Sequence, residues 1–403
     1  MTASPDRLLP VHRAVYLSSF SLSLALVALV LPSDVRWGWL LLPLLGVSVV
    51  GTVWMGRRHR RGRSVGPFLM LAMLNLMLVV PELALRVGGF RYESGIQFGY
   101  PRPTDMVRLL PDKRLFWRLP STRSDVNSLG FPGDEPRIPK PEGAFRIVFL
   151  GDSCTYQGYP TFVGGLLNER RLGDLEIDIV NLSVSGYSSH QGRILADTLV
   201  PRLEPDLVFV YYGWNDHWRA YGDIDADKVV DVPRGLRATR GYRKLSNLRL
   251  AQFIRWLGAT LRSRPDASAG RVRVPADHYR ANLTAIANAM AELGTPTVFV
   301  TAPTTHYRLG VPQPLIDRGF GSDADSIVDL HRRYNDIVRT VTDREGVALF
   351  DLERRVIDSP ELDRHFLRDG IHFSDPGMQA MAVLFADRIE ELVSVGARLA
   401  EPE

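Results

Sequence analysis

The chain is poor in cysteine and lacks any tail of one charge. Its single cysteine, Cys154, excludes an internal disulfide and leaves the redox compartment open. The formal net charge is +4 over 403 residues, and no acidic or basic tail accompanies it. Composition therefore gives no reason to expect nucleic acid as a partner. Anionic lipid headgroups or anionic polymers are the better candidates for any basic face.

Three stretches near the N-terminus lack aspartate, glutamate, lysine and arginine altogether: residues 14–33, 37–56 and 64–81. Each approaches the roughly 17–25 residues that a helix needs to cross the hydrocarbon core of a bilayer. Each is also apolar around its whole circumference, which disfavours buried core helices as the alternative. A cleaved signal peptide is the alternative for the first stretch, but two more stretches follow it. We therefore predict that residues 1–89 form a membrane anchor with three transmembrane helices.

The short loops predict the orientation of this anchor. Residues 57–63 read Arg-Arg-His-Arg-Arg-Gly-Arg, and short loops this basic stay in the cytoplasm. The third crossing then carries the rest of the chain to the other side. The sequence thus predicts a multi-pass protein of the cell membrane whose large C-terminal region is extracytoplasmic.

After the anchor, residues 90–144 are rich in proline, glycine and charge, and we interpret them as a collar with short strands. Residues 145–398 alternate short apolar runs with amphipathic segments, which predicts a parallel α/β sheet covered by helices on both faces. Function in such sheets gathers beyond the carboxyl ends of the strands. The predicted strands lie near 147–150, 177–182, 207–212, 298–301 and 348–351, and the predicted helices near 160–171, 189–203, 277–293, 324–344 and 376–395.

Residues 217–275 interrupt this alternation with a basic insertion, where arginines far outnumber acids. A long insertion near the strand ends is often a lid over a site; a solvated surface insertion is the alternative, and the sequence does not separate the two. Within it, residues 245–261 fit an amphipathic helix. The arginines lead us to expect that residues 234–273 face an anionic surface, either lipid headgroups or a polymer.

Four short motifs fall at the ends of predicted elements. Gly151-Asp152-Ser153 follows the first strand, where a serine hydroxyl would lie at the edge of a site. Gly186 follows the second strand, and a glycine lets a backbone N–H approach a ligand closely. Asn215 follows the third, and its amide can donate to a developing oxyanion. Taken singly, these motifs are more often ordinary turns or helix caps.

The fourth motif is Asp369-Gly370-Ile371-His372, just before the last helix. His372 can act as a general base toward Ser153, and Asp369 can orient and stabilise its imidazole. Three nearby residues are competing candidates, and we assign them to surface or packing roles: His217, Asp363 and His365. No cluster has credible metal-ligand spacing, so no metal or other cofactor is expected. The Gly-x-Ser-x-Gly elbow of α/β-hydrolases is absent.

Together and in this order, the four motifs resemble the SGNH/GDSL hydrolase superfamily over roughly residues 145–395. The resemblance implies a flavodoxin-like three-layer α/β/α fold and hydrolysis of esters, thioesters or acylated sugars. It implies Ser153 as nucleophile, with Asp369 and His372 as acid and base. The implied oxyanion hole consists of the backbone N–H groups of Ser153 and Gly186 and the amide of Asn215.

The sequence departs from the family name at one place, because Cys154 stands where the name has leucine. Cys154 as the nucleophile is therefore an alternative, since Cys–His pairs also hydrolyse esters. The predicted function is an esterase or deacylase, with an O-acyl group on a cell-envelope glycan or lipid as a possible substrate. An O-acyltransferase that modifies a cell-surface polysaccharide would use the same residues. A binding module with a dead site is the third alternative. The sequence predicts neither the acyl group, nor the alcohol, nor the oligomeric state.

Overall fold

A computed structural model describes residues 5–30, 50–61, 63–90, 109–170, 175–220, 223–228, 248–261, 271–317 and 320–400. Contacts divide the chain into two compact units: Met1–Ser94 with Gly235–Ser263, and Gly95–Arg234 with Arg264–Glu403. Most of the second predicted membrane stretch and most of the insertion's arginines lie outside the described residues. The division into anchor, collar and hydrolase domain stays a prediction.

Among the described residues, helices occur in both units and strands in the larger unit alone. The helices are α1 Pro5–Val30, α2 Gly66–Val87, α3 Ser153–Tyr156, α4 Tyr159–Arg170, α5 Ser189–Thr198, α6 Arg249–Leu261, α7 Ala276–Glu292, α8 His306–Leu309, α9 Gln313–Asp317, α10 Ala324–Glu345, α11 Leu352–Ile357, α12 Leu362–His365 and α13 Asp375–Ala400. The strands are β1 Leu110–Asp112, β2 Phe116–Arg118, β3 Ala144–Gly151, β4 Glu176–Ser183, β5 Leu207–Tyr211, β6 Thr297–Val300 and β7 Ala348–Phe350.

The larger unit is built on a parallel sheet with the strand order β4-β3-β5-β6-β7. The chain leaves β3 for β4 on one side and then crosses to β5 on the other, so β3 and β5 flank the point where the winding direction reverses. This is the flavodoxin-like order, in which the crevice at the switch point receives ligands. Before the sheet, β1 and β2 form a short antiparallel pair. The predicted α/β fold with a parallel sheet is confirmed.

Alternating residues of the central strands build two separate cores. Val148 and Leu150 of β3 belong to one hydrophobic cluster, which also contains residues of α5, α7 and α10. Ile147 and Phe149 belong to the other, with residues of α4, α11 and α13. Because successive side chains of a strand point to opposite faces, each face of the sheet has its own helical layer. All five predicted strands and the five predicted helices occur within a few residues of their expected bounds.

The smaller unit contains α1, α2, a helical segment at 50–60 and α6 from the basic insertion. Tyr16, Phe20, Met55 and Ala72 form its buried core. Among the described residues, one helix, α2, has the length and composition to cross a membrane. The predicted helix at 245–261 is observed as α6. Three transmembrane helices are not confirmed by this finding.

Candidate active site

Ser153 lies in a tight turn at the carboxyl end of β3, where it is the first residue of α3. The Asp152 side chain caps this short helix by accepting a hydrogen bond from the backbone N–H of Cys154 at 2.9 Å. A Cβ at Gly151 would lie 2.3 Å from the Thr155 hydroxyl oxygen, so the turn has room only for glycine. The sequence Gly-Asp-Ser thus exists for local reasons of packing and capping as well as for the hydroxyl that it presents.

Asp369 and His372 lie on one loop between α12 and α13. One carboxylate oxygen of Asp369 accepts hydrogen bonds from the backbone N–H groups of Ile371 and His372, both at 3.0 Å. Its other oxygen lies 2.7 Å from Nδ1 of His372. Gly370 has a φ of +70°, and a Cβ there would lie 2.4 Å from the Thr305 hydroxyl oxygen. The carboxylate therefore shapes the loop and also faces the imidazole.

The structure brings this loop to Ser153, 219 positions earlier in the chain. His372 Nε2 lies 2.8 Å from Ser153 Oγ. An ionised carboxylate only accepts, so Nδ1 of His372 donates to Asp369 and leaves Nε2 to accept the serine proton. The Gln157 side chain joins the two segments, since it donates to the Phe373 carbonyl at 2.8 Å and accepts from the Phe373 N–H at 2.9 Å.

Opposing effects set the protonation of this pair. Burial favours the neutral form of Asp369, but the hydrogen bonds from His372 and the loop N–H groups outweigh it and hold the pKa of the carboxyl below its usual value. Burial likewise disfavours the charged form of His372. The hydrogen bond and negative charge of Asp369 outweigh that penalty, so the pKa of His372 is raised above its usual value. The imidazole is a stronger base than a free histidine.

Gly186 and Asn215 follow the two strands that flank β3. Gly186 has a φ of +86°, in the left-handed region that glycine adopts without strain. The buried Asn215 amide donates to the Tyr187 carbonyl at 3.0 Å, which ties it to the Gly186 turn, and approaches Asp152 at 3.4 Å. Asn215 therefore lies between the Gly186 turn and the turn that carries Ser153. The predicted site residues from all four motifs come together at the carboxyl ends of β3, β4 and β5.

Cys154 is fully buried. Its sulfur lies 3.6 Å from the Ile371 carbonyl oxygen, and burial raises the pKa of the thiol well above its usual value. A buried thiol that stays protonated is a poor nucleophile. The geometry thus favours Ser153 over the alternative of Cys154.

The competing candidates occupy other places. His217 is fully buried and shares a hydrogen bond of 3.0 Å with His331, next to Trp214. His365 lies 3.7 Å from Glu361, and Asp363 is exposed in α12. None of the three contacts Ser153 or His372 through a hydrogen bond in the described part of the chain. Across the residues that the structure describes, no group of three or more metal-ligating side chains occurs.

One buried ion pair near the site has no signal in the sequence. Arg273 and Asp225 both have fully buried side chains, and Nη2 of Arg273 lies 2.8 Å from Asp225. Nη1 of Arg273 donates to the Gly186 carbonyl at 2.8 Å, and the Ser188 hydroxyl donates to Asp225 at 2.7 Å. The ion pair therefore fixes the Gly186 turn through hydrogen bonds to Gly186 and Ser188. Arg273 falls within the basic insertion, and nothing in the sequence distinguishes it from the other arginines there.

More than half of the chain matches the model of a known protein family. The model of the GDSL-like lipase/acylhydrolase family matches residues 149–380, which is more than half of the chain. The match includes Ser153, Gly186, Asn215, Asp369 and His372. No protein of curated function matches the chain.

Several solved structures are similar to part of the chain at low identity. A lipase/acylhydrolase from Enterococcus faecalis is 16% identical, with a TM-score of 0.40 over 62% of this chain and 96% of its own. An acetyl xylan esterase, AlAXEase, is 16% identical, with a TM-score of 0.39 over 61% of this chain and 100% of its own. A variant acetyl xylan esterase from Geobacillus stearothermophilus is 18% identical, with a TM-score of 0.40 over 62% of this chain and 95% of its own.

Proposed function

The chain belongs to the GDSL-like lipase/acylhydrolase family and is an ester-hydrolysing enzyme, and from this premise we propose that it acts through Ser153, His372 and Asp369. The observation that carries the proposal is the position of His372, 2.8 Å from the serine oxygen on one side and 2.7 Å from the aspartate on the other. A nucleophile, a base and an orienting carboxylate in this order define a serine hydrolase by geometry.

The proposed reaction has two steps. His372 Nε2 takes the proton of Ser153 as the serine oxygen attacks the acyl carbon, and the imidazolium then returns a proton to the departing alcohol. Water next attacks the acyl-serine in the same way, which releases the acid. The backbone N–H groups of Ser153 and Gly186 and the amide of Asn215 donate to the oxyanion in both steps. The Ser153 N–H also belongs to the first turn of a helix, where a negative charge is favoured.

We expect an O-acyl group on a cell-envelope glycan or lipid as the substrate, because the same chain carries an apolar helix long enough to reach across a membrane. The test uses the full chain, purified in detergent, on p-nitrophenyl esters and acetylated sugars alongside Ser153→Ala. Release of acid by the wild type alone supports hydrolysis. Transfer of the acyl group to an added sugar, with little acid released, would instead indicate an O-acyltransferase.

Asn215→Ala is expected to lower kcat on the order of 100–1000-fold, the usual cost of removing one oxyanion donor. The loss should appear in kcat rather than in KM, because the oxyanion exists only in the transition state. Steady-state kinetics on a p-nitrophenyl ester measure both. Since Asn215 also contacts the Tyr187 carbonyl, unchanged thermal unfolding is the required control. A rise in KM alone would assign Asn215 to ground-state binding.

Asp369→Asn is expected to move the acidic limb of the pH–rate profile to lower pH while lowering kcat. The base must be neutral to accept a proton, so activity falls as the pH drops through the pKa of His372. Asp369 raises the pKa of His372 in the wild type. Without the Asp369 charge, burial of the imidazole dominates and lowers the pKa of His372. Profiles of kcat/KM for the two proteins measure the shift.

Asp152→Asn is the matched control for this experiment. Burial raises the pKa of Asp152 to about 6, so this carboxyl also changes its charge within the pH range of the profile. Asp152 makes the smallest of the contributions that raise the pKa of His372, and its variant should move the limb less than Asp369→Asn does. If the acidic limb shifts in Asp152→Asn and stays in place in Asp369→Asn, the titrating group is not His372 and the assignment of the base is wrong.

We further propose that the smaller unit anchors the enzyme in a membrane, with the hydrolase outside the cytoplasm. The α2 side chains Met70, Met73, Leu74, Met77 and Leu78 are exposed large hydrophobics, which suits a lipid environment better than water. Asn75 of α2 donates to the Ser19 carbonyl at 2.8 Å and to the Ser23 hydroxyl at 2.7 Å. Hydrogen bonds between polar side chains of this kind join helices in membranes.

A reporter fused after Glu403 tests the orientation. We expect a periplasmic or extracellular reporter to be active and a cytoplasmic one to be silent, because the arginines of residues 57–63 hold their loop inside. Replacing those five arginines by glutamine is the control, and it should weaken the preference. An active cytoplasmic reporter on the wild-type chain would overturn the orientation.

A further inference from the structure

The amphipathic helix α6, which the insertion contributes, begins against a buried carboxylate of the apolar helix α2. Glu82 accepts hydrogen bonds from the backbone N–H groups of Arg249 at 2.9 Å and Leu250 at 2.6 Å. Arg86 also donates to it at 2.8 Å. A carboxylate at this place satisfies N–H groups that have no partner within the helix and complements the helix dipole. Glu82 thus fixes the start of α6 at one level along α2.

Glu82 lies at the end of the apolar stretch of α2. No charged residue occurs between Gly66 and Pro81, and Glu82 is the first. The last residue of α2, Val87, lies five positions after Glu82, which is roughly 8 Å at 1.5 Å per residue. If α2 crosses a bilayer, Glu82 lies where the hydrocarbon core gives way to the headgroups, because a charged group deeper in the core is costly.

Helix α6 leaves apolar side chains uncovered at this level. Ile254 is 61% exposed and Leu257 is 40% exposed, and a spacing of three residues puts both on one face of the helix. Gln252, by contrast, is buried, and the ring of Phe253 meets that of Phe90 at 5.6 Å. One face of α6 therefore packs within the unit, while another offers aliphatic side chains to the surroundings.

We propose that α6 is an interfacial helix that inserts Ile254 and Leu257 into the lipid–water boundary of the bilayer that α2 crosses. The proposal rests on the membrane anchoring proposed above. Lipid is the occupant that the observations favour, because α6 contacts the apolar helix α2 and begins at the charged end of its apolar stretch. The sequence of α6 contains Arg249 and Arg255 and no acid, as is usual for helices that lie at anionic headgroups.

The consequence is a second attachment of the hydrolase to the membrane. The insertion leaves the larger unit after Arg234 and returns to it at Arg264, so both of its ends are covalently joined to the hydrolase. A single linker after α2 would leave the enzyme free to turn about one tether. An α6 held in the interface restrains it by two further chain segments. The basic insertion then serves as a membrane contact, which differs from a lid that opens and closes in water.

The test measures the depth of single probes in the full chain, reconstituted in nanodiscs with anionic lipid. Cys154→Ala removes the native thiol, and an environment-sensitive fluorophore is attached to Ile254→Cys or Leu257→Cys. Lipids carry a nitroxide quencher at the headgroup, high on the acyl chain, or near the bilayer centre. Met77→Cys, exposed on α2, and Leu293→Cys, exposed in the hydrolase unit, are the two reference positions.

We expect probes at 254 and 257 to be quenched roughly twofold or more by the two shallow nitroxides and little by the deep one, since interfacial helices insert about 5–10 Å. The probe at 77 should respond to the deep nitroxide and the probe at 293 to none. A probe at 77 that no nitroxide quenches would overturn the anchoring itself. Quenching at 77 together with solvent-like behaviour at 254 and 257 would overturn the interfacial helix alone.

A protein partner or a second copy of this chain on the same face is also distinguishable. Probes at 254 and 257 would then be shielded from lipid nitroxides and from aqueous iodide alike, which would overturn lipid as the occupant. Glu82→Gln supplies a further check, because it removes the charge that fixes the start of α6 but keeps the side chain's shape. We expect the quenching at 254 to fall or change depth in this variant, while that at 77 stays the same. Unchanged quenching at 254 would mean that Glu82 does not position the helix.

Discussion

Replacing Ser153 or His372 by alanine is expected to remove nearly all hydrolysis of p-nitrophenyl esters, on the order of 10⁴-fold or more. The double variant is expected to lose no more than either single variant. The reason is that the two side chains act on one proton: without the base the serine is a weak nucleophile, and without the serine the base has nothing to activate. Steady-state kinetics of the four proteins in one detergent measure this directly.

His365→Ala is the matched control for the base. His365 lies seven positions before His372 in the sequence. It is paired with Glu361 rather than with Ser153, so its variant should keep most of the activity. His217 is unsuitable for this purpose, because it is fully buried beside Trp214 and its loss would leave a cavity there. An active His372→Ala with an inactive His365→Ala would reverse the assignment.

The nucleophile has an independent test. A fluorophosphonate reacts with an activated serine and should label the wild type and His365→Ala, but not Ser153→Ala. Stoichiometric labelling of Ser153→Ala would contradict the assignment of the nucleophile, whatever the kinetics show. Cys154→Ala should still be labelled, because the buried thiol takes no part in the proposed chemistry.

The sheet could be predicted because its signals are local. Each buried strand is a short apolar run, and each is followed by a segment of helical period. The site could be anticipated for a related reason: parallel strands end at one edge, so Ser153, Gly186 and Asn215 must meet there once the order of the strands is known. His372 could be added because a short Asp-Gly-Ile-His motif precedes the last helix.

The contacts that hold these residues in place were not predictable. Gln157 pairs with Phe373 through two hydrogen bonds, but neither residue belongs to a pattern, and 216 positions separate them. Asp216 follows Asn215 directly in the sequence, yet its carboxylate accepts a hydrogen bond at 2.9 Å from the N–H of Ser189, the first residue of α5. Such pairs are specified by the packed fold, and periodicity carries no information about them.

The membrane region marks another limit of sequence reasoning. Apolar stretches report length and composition, and α2 satisfies both. They do not report that a glutamate on α2 would cap a helix 167 positions later, because that contact joins the anchor to the insertion. The charge of the insertion was visible in the sequence, whereas the contact of its helix with the smaller unit was visible only in the structure.

Arg273→Met is expected to lower the free energy of unfolding of the hydrolase unit by about 3–5 kcal/mol, because it removes one partner of a fully buried ion pair. Asp225→Leu should be destabilising to a similar degree for the converse reason. The double variant Arg273→Met/Asp225→Leu should recover much of the loss, since two apolar side chains bury no charge. Unfolding of the full chain in detergent, followed by tryptophan fluorescence, measures all three.

Activity of the double variant separates a structural role from a positioning role. Arg273 also donates to the Gly186 carbonyl at 2.8 Å, and Asp225 accepts from Ser188 two residues further on. If these contacts hold the Gly186 N–H toward the oxyanion, the refolded double variant should show a reduced kcat with little change in KM. Arg273→Lys keeps the positive charge but loses the planar guanidinium group, so its kcat should lie between those of the wild type and the double variant. Single variants as stable as the wild type would contradict the buried pair, and a double variant with full kcat would limit Arg273 to supporting the fold.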